Sequence, residues 1–190
     1  MKNEVSSNVK VLVFSAIALS LAFVLDKFAV FNMPFGGEVT LFSMFFVAII
    51  GYWFGPVQGI IAGVTFGLLK LVDGGYVIHP AQLILDYPLA YGMLGLSGLF
   101  KNKKNGLYIG FVVGCLGRYV CSFFSGAIFF GSYAWEGWGV YPYSAVYNMM
   151  YIGPEIILTL LVLSIPQVRM ALDQVRKIIF TSDESSNVSI

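Results

Sequence analysis

The chain has 190 residues, of which 58% are hydrophobic, 16% aromatic and only 11% charged, with a formal net charge of +1 and a mean hydropathy of +0.81. A soluble domain carries about 25% charged residues, so a water-exposed surface of ordinary size is excluded, and the lack of a dense basic cluster excludes a nucleic-acid surface. In lipid every backbone polar group must be satisfied internally, and near-continuous apolar runs favour helices over a barrel. The fold class is therefore an all-α integral membrane protein.

Six transmembrane helices are predicted, at residues 11–30, 39–54, 57–71, 81–100, 107–130 and 144–165. The first follows Lys2 and Lys10, lacks a small-residue cleavage site and is long enough to span, so it reads as a membrane helix and not a signal peptide. Within it Ala18 and Ala22 are four apart, with Ala16 and Ser20 nearby, giving one side smooth enough for close helix approach. Internal packing alone explains that spacing. The second and third segments are short for a hydrocarbon core of about 30 Å and read as a hairpin through Gly55-Pro56. In the fifth, Cys115 and Cys121 are separated by roughly 9 Å of rise on different faces, too far for a disulfide, and read as buried thiols. Residues 129–148 hold eight aromatics, Trp135 and Trp138 among them, which form either an interfacial belt or the walls of a site. Residues 1–180 read as a single six-helix membrane domain, and 181–190 as a disordered cytoplasmic tail.

Threading six crossings puts Lys2, Lys10, Lys101, Lys103, Lys104, Arg169, Arg176 and Lys177 on one side. Asp26, Lys27, Glu38, Asp73, His79 and Glu136 fall on the other. The positive-inside rule then makes both termini cytoplasmic and turns three longer loops outward.

Charges inside spans are costly and are functional candidates by default. Arg118 and Glu155 lie at matched depths, roughly 18 and 17 Å below the outer ends of their helices, which suggests a structural ion pair. Asp86 lies only about 9 Å deep and has no cation at its level. Its carboxylate either packs against a tyrosine such as Tyr87 or Tyr119, or meets a ligand. Helical spacing lines up Ser122, Gly126 and Phe130 as one stripe, Ser144, Asn148, Tyr151 and Glu155 as a second, and Gln82 with Asp86 as a third. Stripes of this kind under aromatic loops suit a flat, heteroaromatic, cationic ligand, while helix–helix contact equally explains Ser122 and Gly126.

No G-x-x-x-x-G-K-[ST] phosphate loop occurs. One histidine, His79, and two distant cysteines make neither a metal site nor a catalytic triad, so no cofactor is expected. An intramembrane enzyme acting on lipid or isoprenoid lacks a second acid near Asp86. A non-binding scaffold protein is the remaining reading.

The stretches Pro34-Phe-Gly-Gly-Glu-Val-Thr40, Tyr76-Val-Ile-His-Pro-Ala-Gln-Leu-Ile-Leu-Asp-Tyr-Pro88, Gly126-Ala-Ile-Phe-Phe130, Tyr133-Ala-Trp-Glu-Gly-Trp138 and Tyr143-Ser-Ala-Val-Tyr-Asn148 resemble the thiamine-specific S components (ThiT/YuaJ family) of energy-coupling factor (ECF) vitamin transporters. The resemblance extends over nearly all six spans. It implies a six-helix S-component-like bundle in the bacterial cell membrane that binds thiamine for import. An EcfT-like transmembrane coupling protein and two cytoplasmic EcfA-like ATPases would energise it, and the bundle would topple to release the vitamin inward. Such a family also uses an Ala-x-x-x-Ala surface on its first helix to meet the coupling protein, which gives Ala18 and Ala22 a coupling role.

By matching motifs, the resemblance makes Tyr76 a ligand-contacting aromatic of an outer loop, and Asp86, followed by Tyr87, the acid that faces the thiazolium. Phe130 would stack on the ligand, Tyr143 and Asn148 would address the aminopyrimidine, and Gly126 would leave room for the ring. Asp86 replaces a glutamate of some members and shortens the carboxylate's reach. Ser122 stands where a binding histidine is expected, and its hydroxyl is smaller and does not titrate near neutrality. That departure keeps pyridoxine, pyridoxamine and hydroxymethylpyrimidine as rival ligands.

Overall fold

The computed structural model describes residues 2–34 and 37–181; the expected disordered tail lies, from residue 182 on, outside the described residues. Helix α1 runs Lys2–Asp26, shorter at its C-terminal end than the apolar run to residue 30 suggested. The chain then turns, and β1 (Phe31–Asn32) pairs antiparallel with β2 (Glu38–Val39), with Phe31 opposite Val39 and Asn32 opposite Glu38. Hydropathy registers only that Phe28, Val30 and Phe31 are apolar. Pro34 and Gly37, which stop helices, decide the geometry. Gly37 has φ +90°, and a Cβ there would come within 2.8 Å of the Tyr151 ring. The tip of the hairpin therefore rests directly on that ring.

Helix α2 (Ser43–Phe54) begins four residues later than the run from 39 suggested. It meets α3 (Pro56–Val72) at Gly55, whose φ of +103° and the proline in the first turn of α3 make the tight reversal possible. The fourth apolar run is continuous from Pro80 to Phe100 but is not one regular helix. It comprises α4 (Pro80–Ile84), a π-helical turn (Leu85–Leu89), α5 (Ala90–Met93) and a 3-10 stretch (Leu94–Phe100). Pro88 lies inside the π turn. It has no N–H, and its ring would strike the carbonyl one turn back, so the helix widens there. Helix α6 (Gly106–Phe129) and α7 (Val140–Leu163) follow as long spans.

Four stretches are long and apolar enough to cross a membrane: Asn8–Asp26, Pro80–Phe100, Gly106–Phe129 and Val140–Leu163. Helices α2 and α3, with 12 and 17 residues, are shorter. Lipid gives apolar side chains no reason to leave it, so close backbone approach has to hold the bundle together. A Cβ on Gly59 of α3 would lie 2.5 Å from the Gly51 Cα of α2 and 2.8 Å from the Gly95 Cα of the 3-10 stretch. Three backbones meet at that point. Around them Phe66 packs edge-on to Tyr91 and Phe45 to Phe111, with centroids 5.1 and 6.0 Å apart.

One expectation is corrected here. Ala18 and Ala22 do not present a surface to a coupling protein. They are 3% and 0% exposed, Ala18 against Ile50 and Ala62 and Ala22 in the main core. The smooth side of α1 is used up by α2 and α3, and the outward side carries Leu12, Ala16, Ile17, Ser20, Leu21 and Val24. Between the last span and the segment expected to be a tail lies a helix the sequence reading did not assign, α8 (Pro166–Thr181). Its Val168, Leu172, Val175 and Ile179 pack on the core. Arg176 holds it there by donating to the Tyr52 hydroxyl at 3.0 Å and to the Lys101 carbonyl at 3.2 Å.

Candidate ligand-binding site

The hairpin, the 73–79 loop, the π turn and the neighbouring parts of α6 and α7 enclose a cavity of about 190 Å³. Tyr76, Asp86, Tyr87, Ser122, Gly126, Phe130, Tyr143 and Asn148, all singled out from the sequence, line it. Apart from Glu155, the residues of the stripes predicted by helical spacing thus converge on one space.

Asp86 projects from the π turn. Its Oδ2 accepts from Gln82 Nε2 and from Ser125 Oγ, both at 2.7 Å. Both donors are neutral, and among the described residues no Lys, Arg or His nitrogen lies within salt-bridge distance of Asp86. Gln82, 1% exposed, also donates to the Tyr76 carbonyl at 3.1 Å and accepts from the Ile78 N–H at 3.2 Å. The Tyr87 hydroxyl donates to the same Tyr76 carbonyl at 3.2 Å. One buried amide therefore ties the 76–78 backbone to the acid. His79 serves the same loop structurally: its Nδ1 accepts from Ala81 N–H at 3.1 Å, and its ring stacks on Phe129.

The opposite wall is the α6–α7 contact. Ser144 Oγ donates to the Phe123 carbonyl at 2.7 Å, and Asn148 Nδ2 donates to the Ser122 and Ser144 carbonyls at 3.2 and 2.8 Å. Tyr151 donates to Asn148 Oδ1 at 2.6 Å, so that oxygen has one lone pair left for anything else. A Cβ on Gly126 would sit 2.3 Å from Ser144 Oγ. Gly126 therefore makes room for the α7 side chains, which is a packing role in addition to the ring clearance expected of it. Aromatic rings close the site: Phe130 lies 6.1 Å from both Tyr76 and Tyr133, and Trp135 stands edge-on to Tyr143 at 5.2 Å. A hydrogen bond with Tyr133 pushes the Tyr76 phenol above its ordinary pKa.

The expected Arg118–Glu155 ion pair does not form. Glu155 is taken by the start of α2, where its carboxylate accepts from Met44 N–H at 2.8 Å, Thr40 Oγ1 at 2.7 Å and Ser43 Oγ at 3.3 Å. An anion satisfies the orphan amides and positive dipole end of a helix N-terminus, and α2 supplies both. Arg118 Nη2 donates instead to the Tyr91 hydroxyl at 3.0 Å, with the guanidinium 4.2 Å from the Tyr91 ring centroid.

Sequence reasoning missed the rim. Lys70, in the last turn of α3, pairs with Asp26 at 2.6 Å and Glu38 at 2.8 Å, and Lys27 pairs with Asp73. These contacts tie α1, the hairpin and α3 together beside the cavity. Lys70 lies inside the predicted 57–71 span and was legible as an intramembrane charge. The cavity lining includes the carboxylates of Asp26, Glu38, Asp73 and Asp86 and the cations Lys70 and Arg118. With the Lys27 that pairs with Asp73, four negative charges face three positive ones, leaving one negative charge in excess.

A family model described as "Thiamine transporter protein (Thia_YuaJ)" matches residues 12–173. The thiamine transporter ThiT of Bacillus subtilis (strain 168) is 33% identical over 169 residues, spanning 82% of this chain and 86% of that protein. ThiT of Lacticaseibacillus paracasei is 33% identical over 119 residues, 54% of this chain and 59% of its own length. In fold, the chain is similar to the solved structure of ThiT from Listeria monocytogenes, with TM-score 0.60 and 22% identity over 95% of this chain and 97% of that one.

Proposed function

We propose, from the premise that this chain belongs to the thiamine transporter (Thia_YuaJ) family of transport proteins rather than enzymes, that it is the substrate-binding subunit of a vitamin importer and holds thiamine in the cavity beside Asp86. The chain is a multi-pass protein of a bacterial cell membrane. In this reading α1, α2, α3, the Pro80–Phe100 run, α6 and α7 make six crossings with both termini cytoplasmic, and the cavity opens outward. The Lys/Arg distribution supports that orientation.

One observation carries the ligand assignment: Asp86 lines the cavity with two neutral donors and no cationic partner among the described residues. Counting the Lys27 that pairs with Asp73, one negative charge at the cavity is in excess, and a monovalent cation neutralises it. The aromatic rings of Tyr76, Phe130 and Tyr143 supply flat walls for a heteroaromatic ring. Thiamine combines a cationic thiazolium with a neutral aminopyrimidine and meets both demands. Since the sequence carries no phosphate-cradling loop, transport would draw on a separate transmembrane coupling protein and two cytoplasmic ATPases.

The test is a side-by-side titration of the purified protein with thiamine, pyridoxine, pyridoxamine and hydroxymethylpyrimidine, followed by tryptophan fluorescence. Trp135 touches Tyr143 of the cavity and is placed to report binding. Thiamine is expected to bind most tightly. Millimolar thiamine binding beside tight binding of a neutral ring would overturn the assignment.

A further inference from the structure

With Glu155 committed to the start of α2 and Asp86 to Gln82 and Ser125, one charged group of the cavity is left over. Arg118 is 8% exposed, lines the cavity, and has no carboxylate within ion-pairing distance among the described residues. Its guanidinium makes one side-chain hydrogen bond, to the Tyr91 hydroxyl, and its buried Nε has no hydrogen-bond partner. A buried donor without an acceptor is expensive, and more so when charged. Arginine always carries its charge and presents a planar fan of donors with no acceptor. Whatever completes this side chain must bring a lone pair.

We propose that Arg118 is a second recognition point of the cavity, which seats a lone-pair nitrogen of the neutral ring of the ligand while Asp86 takes the cationic ring. This rests on the thiamine reading above and deepens it. The two charged side chains have opposite signs, so they sort the two halves of the ligand. A thiazolium is repelled by the guanidinium and drawn to Asp86. The aminopyrimidine, which has ring-nitrogen acceptors and no charge, goes to Arg118. Arg118 lies one helical turn from Ser122 and two from Gly126 on α6, so it continues the stripe that faces Asn148. A ligand with a cation at one end and no acceptor at the other would satisfy Asp86 and leave Arg118 Nε without an acceptor.

The experiment compares wild-type protein with Arg118→Met. Each is titrated with thiamine and with an analogue in which both pyrimidine ring nitrogens are replaced by CH. In the wild type the analogue is expected to bind about 10- to 150-fold more weakly than thiamine, the range of a hydrogen bond to a charged group. Arg118→Met is expected to lose a similar factor for thiamine and nothing further for the analogue, because the two changes delete the same contact. Its melting temperature without ligand should stay close to that of the wild type, since the desolvation relieved by removing a buried charge offsets the loss of the hydrogen bond to the Tyr91 hydroxyl. Equal losses for both ligands, or no loss for either, would overturn the proposal while leaving the thiamine reading intact. Failure of Arg118→Met to fold would also count against it, because a side chain held for the ligand should be dispensable to the empty protein. Wild-type protein that does not bind thiamine would sink the functional reading first.

Discussion

Asp86→Asn is the substitution that tests the chemistry of the site most directly. The amide is isosteric, and its oxygen can still accept from Gln82 Nε2 and Ser125 Oγ, the two 2.7 Å bonds that orient the carboxylate. What disappears is the negative charge. A contact to a charged group contributes about 1.5–3 kcal/mol net, so a cationic ligand should lose about 10- to 150-fold in affinity. A neutral ring such as hydroxymethylpyrimidine loses no ionic attraction and should change by less than about threefold, within the scatter of surface substitutions. Titrations of both ligands on wild type and variant, at constant ionic strength, read the difference directly. Equal loss for the cation and the neutral ring would mean that Asp86 shapes the cavity and does not pair with charge.

The remaining substitutions probe the scaffold. Ala18→Leu should lower the melting temperature by the equivalent of about 1–3 kcal/mol of overpacking, whereas Ala16→Leu on the outward side should leave it within error; the reverse ranking would restore Ala18 as a contact surface. Lys70→Met leaves the carboxylate of Asp26, itself 3% exposed, without its partner, and should cost about 3–5 kcal/mol. Adding Asp26→Asn should recover most of that loss, as thermal melts in detergent would record. Gly59→Ala must push apart backbones rather than flexible side-chain ends, so it should destabilise more than any Gly→Ala change at an open position such as Gly74 if φ strain there is controlled by Gly74→Asn.

The membrane class and the converging stripes were legible because hydropathy and helical period are local properties of the sequence. The partners of Arg118 and Glu155 were not. Counting residues from a helix end measures depth along the membrane normal, and matched depth says nothing of direction around the helix axis. Glu155 turns toward Ser43 and Met44, more than a hundred residues away in sequence. The hairpin was hidden because Phe28, Val30 and Phe31 extend an apolar run past the true helix end. Helix α8 is written in the spacing of Val168, Leu172, Val175 and Ile179. Charged and amide side chains (Gln167, Arg169, Asp173, Gln174, Arg176 and Lys177) interrupt those apolar positions, so α8 never forms the continuous apolar run that marks a span.

Asp86 and Tyr87 both sit in the π turn, and Pro88 offers a cause. A π turn inserts an extra residue into the helical repeat, which rotates everything before it by about 100° relative to an α-helix. The widened backbone is received by α3, where a Cβ on Gly67 would lie 2.4 Å from the Tyr87 carbonyl and one on Gly63 would lie 2.2 Å from that of Tyr91. Pro88 and Gly67 thus act on opposite sides of the same bulge, one forcing it and the other admitting it, while Gly63 seats the turn of α5 that follows. Pro88→Ala removes the force and leaves the space. If proline holds the turn, the segment should relax toward α-helix and swing Asp86 away from Gln82 and Ser125. Thiamine affinity should then fall at least as far as in Asp86→Asn, while the melting temperature holds or rises because an interior proline is worth about 3 kcal/mol less than alanine in a helix. Binding at the wild-type level in Pro88→Ala would instead mean that packing against Gly67 is sufficient to keep the turn open and the acid in place.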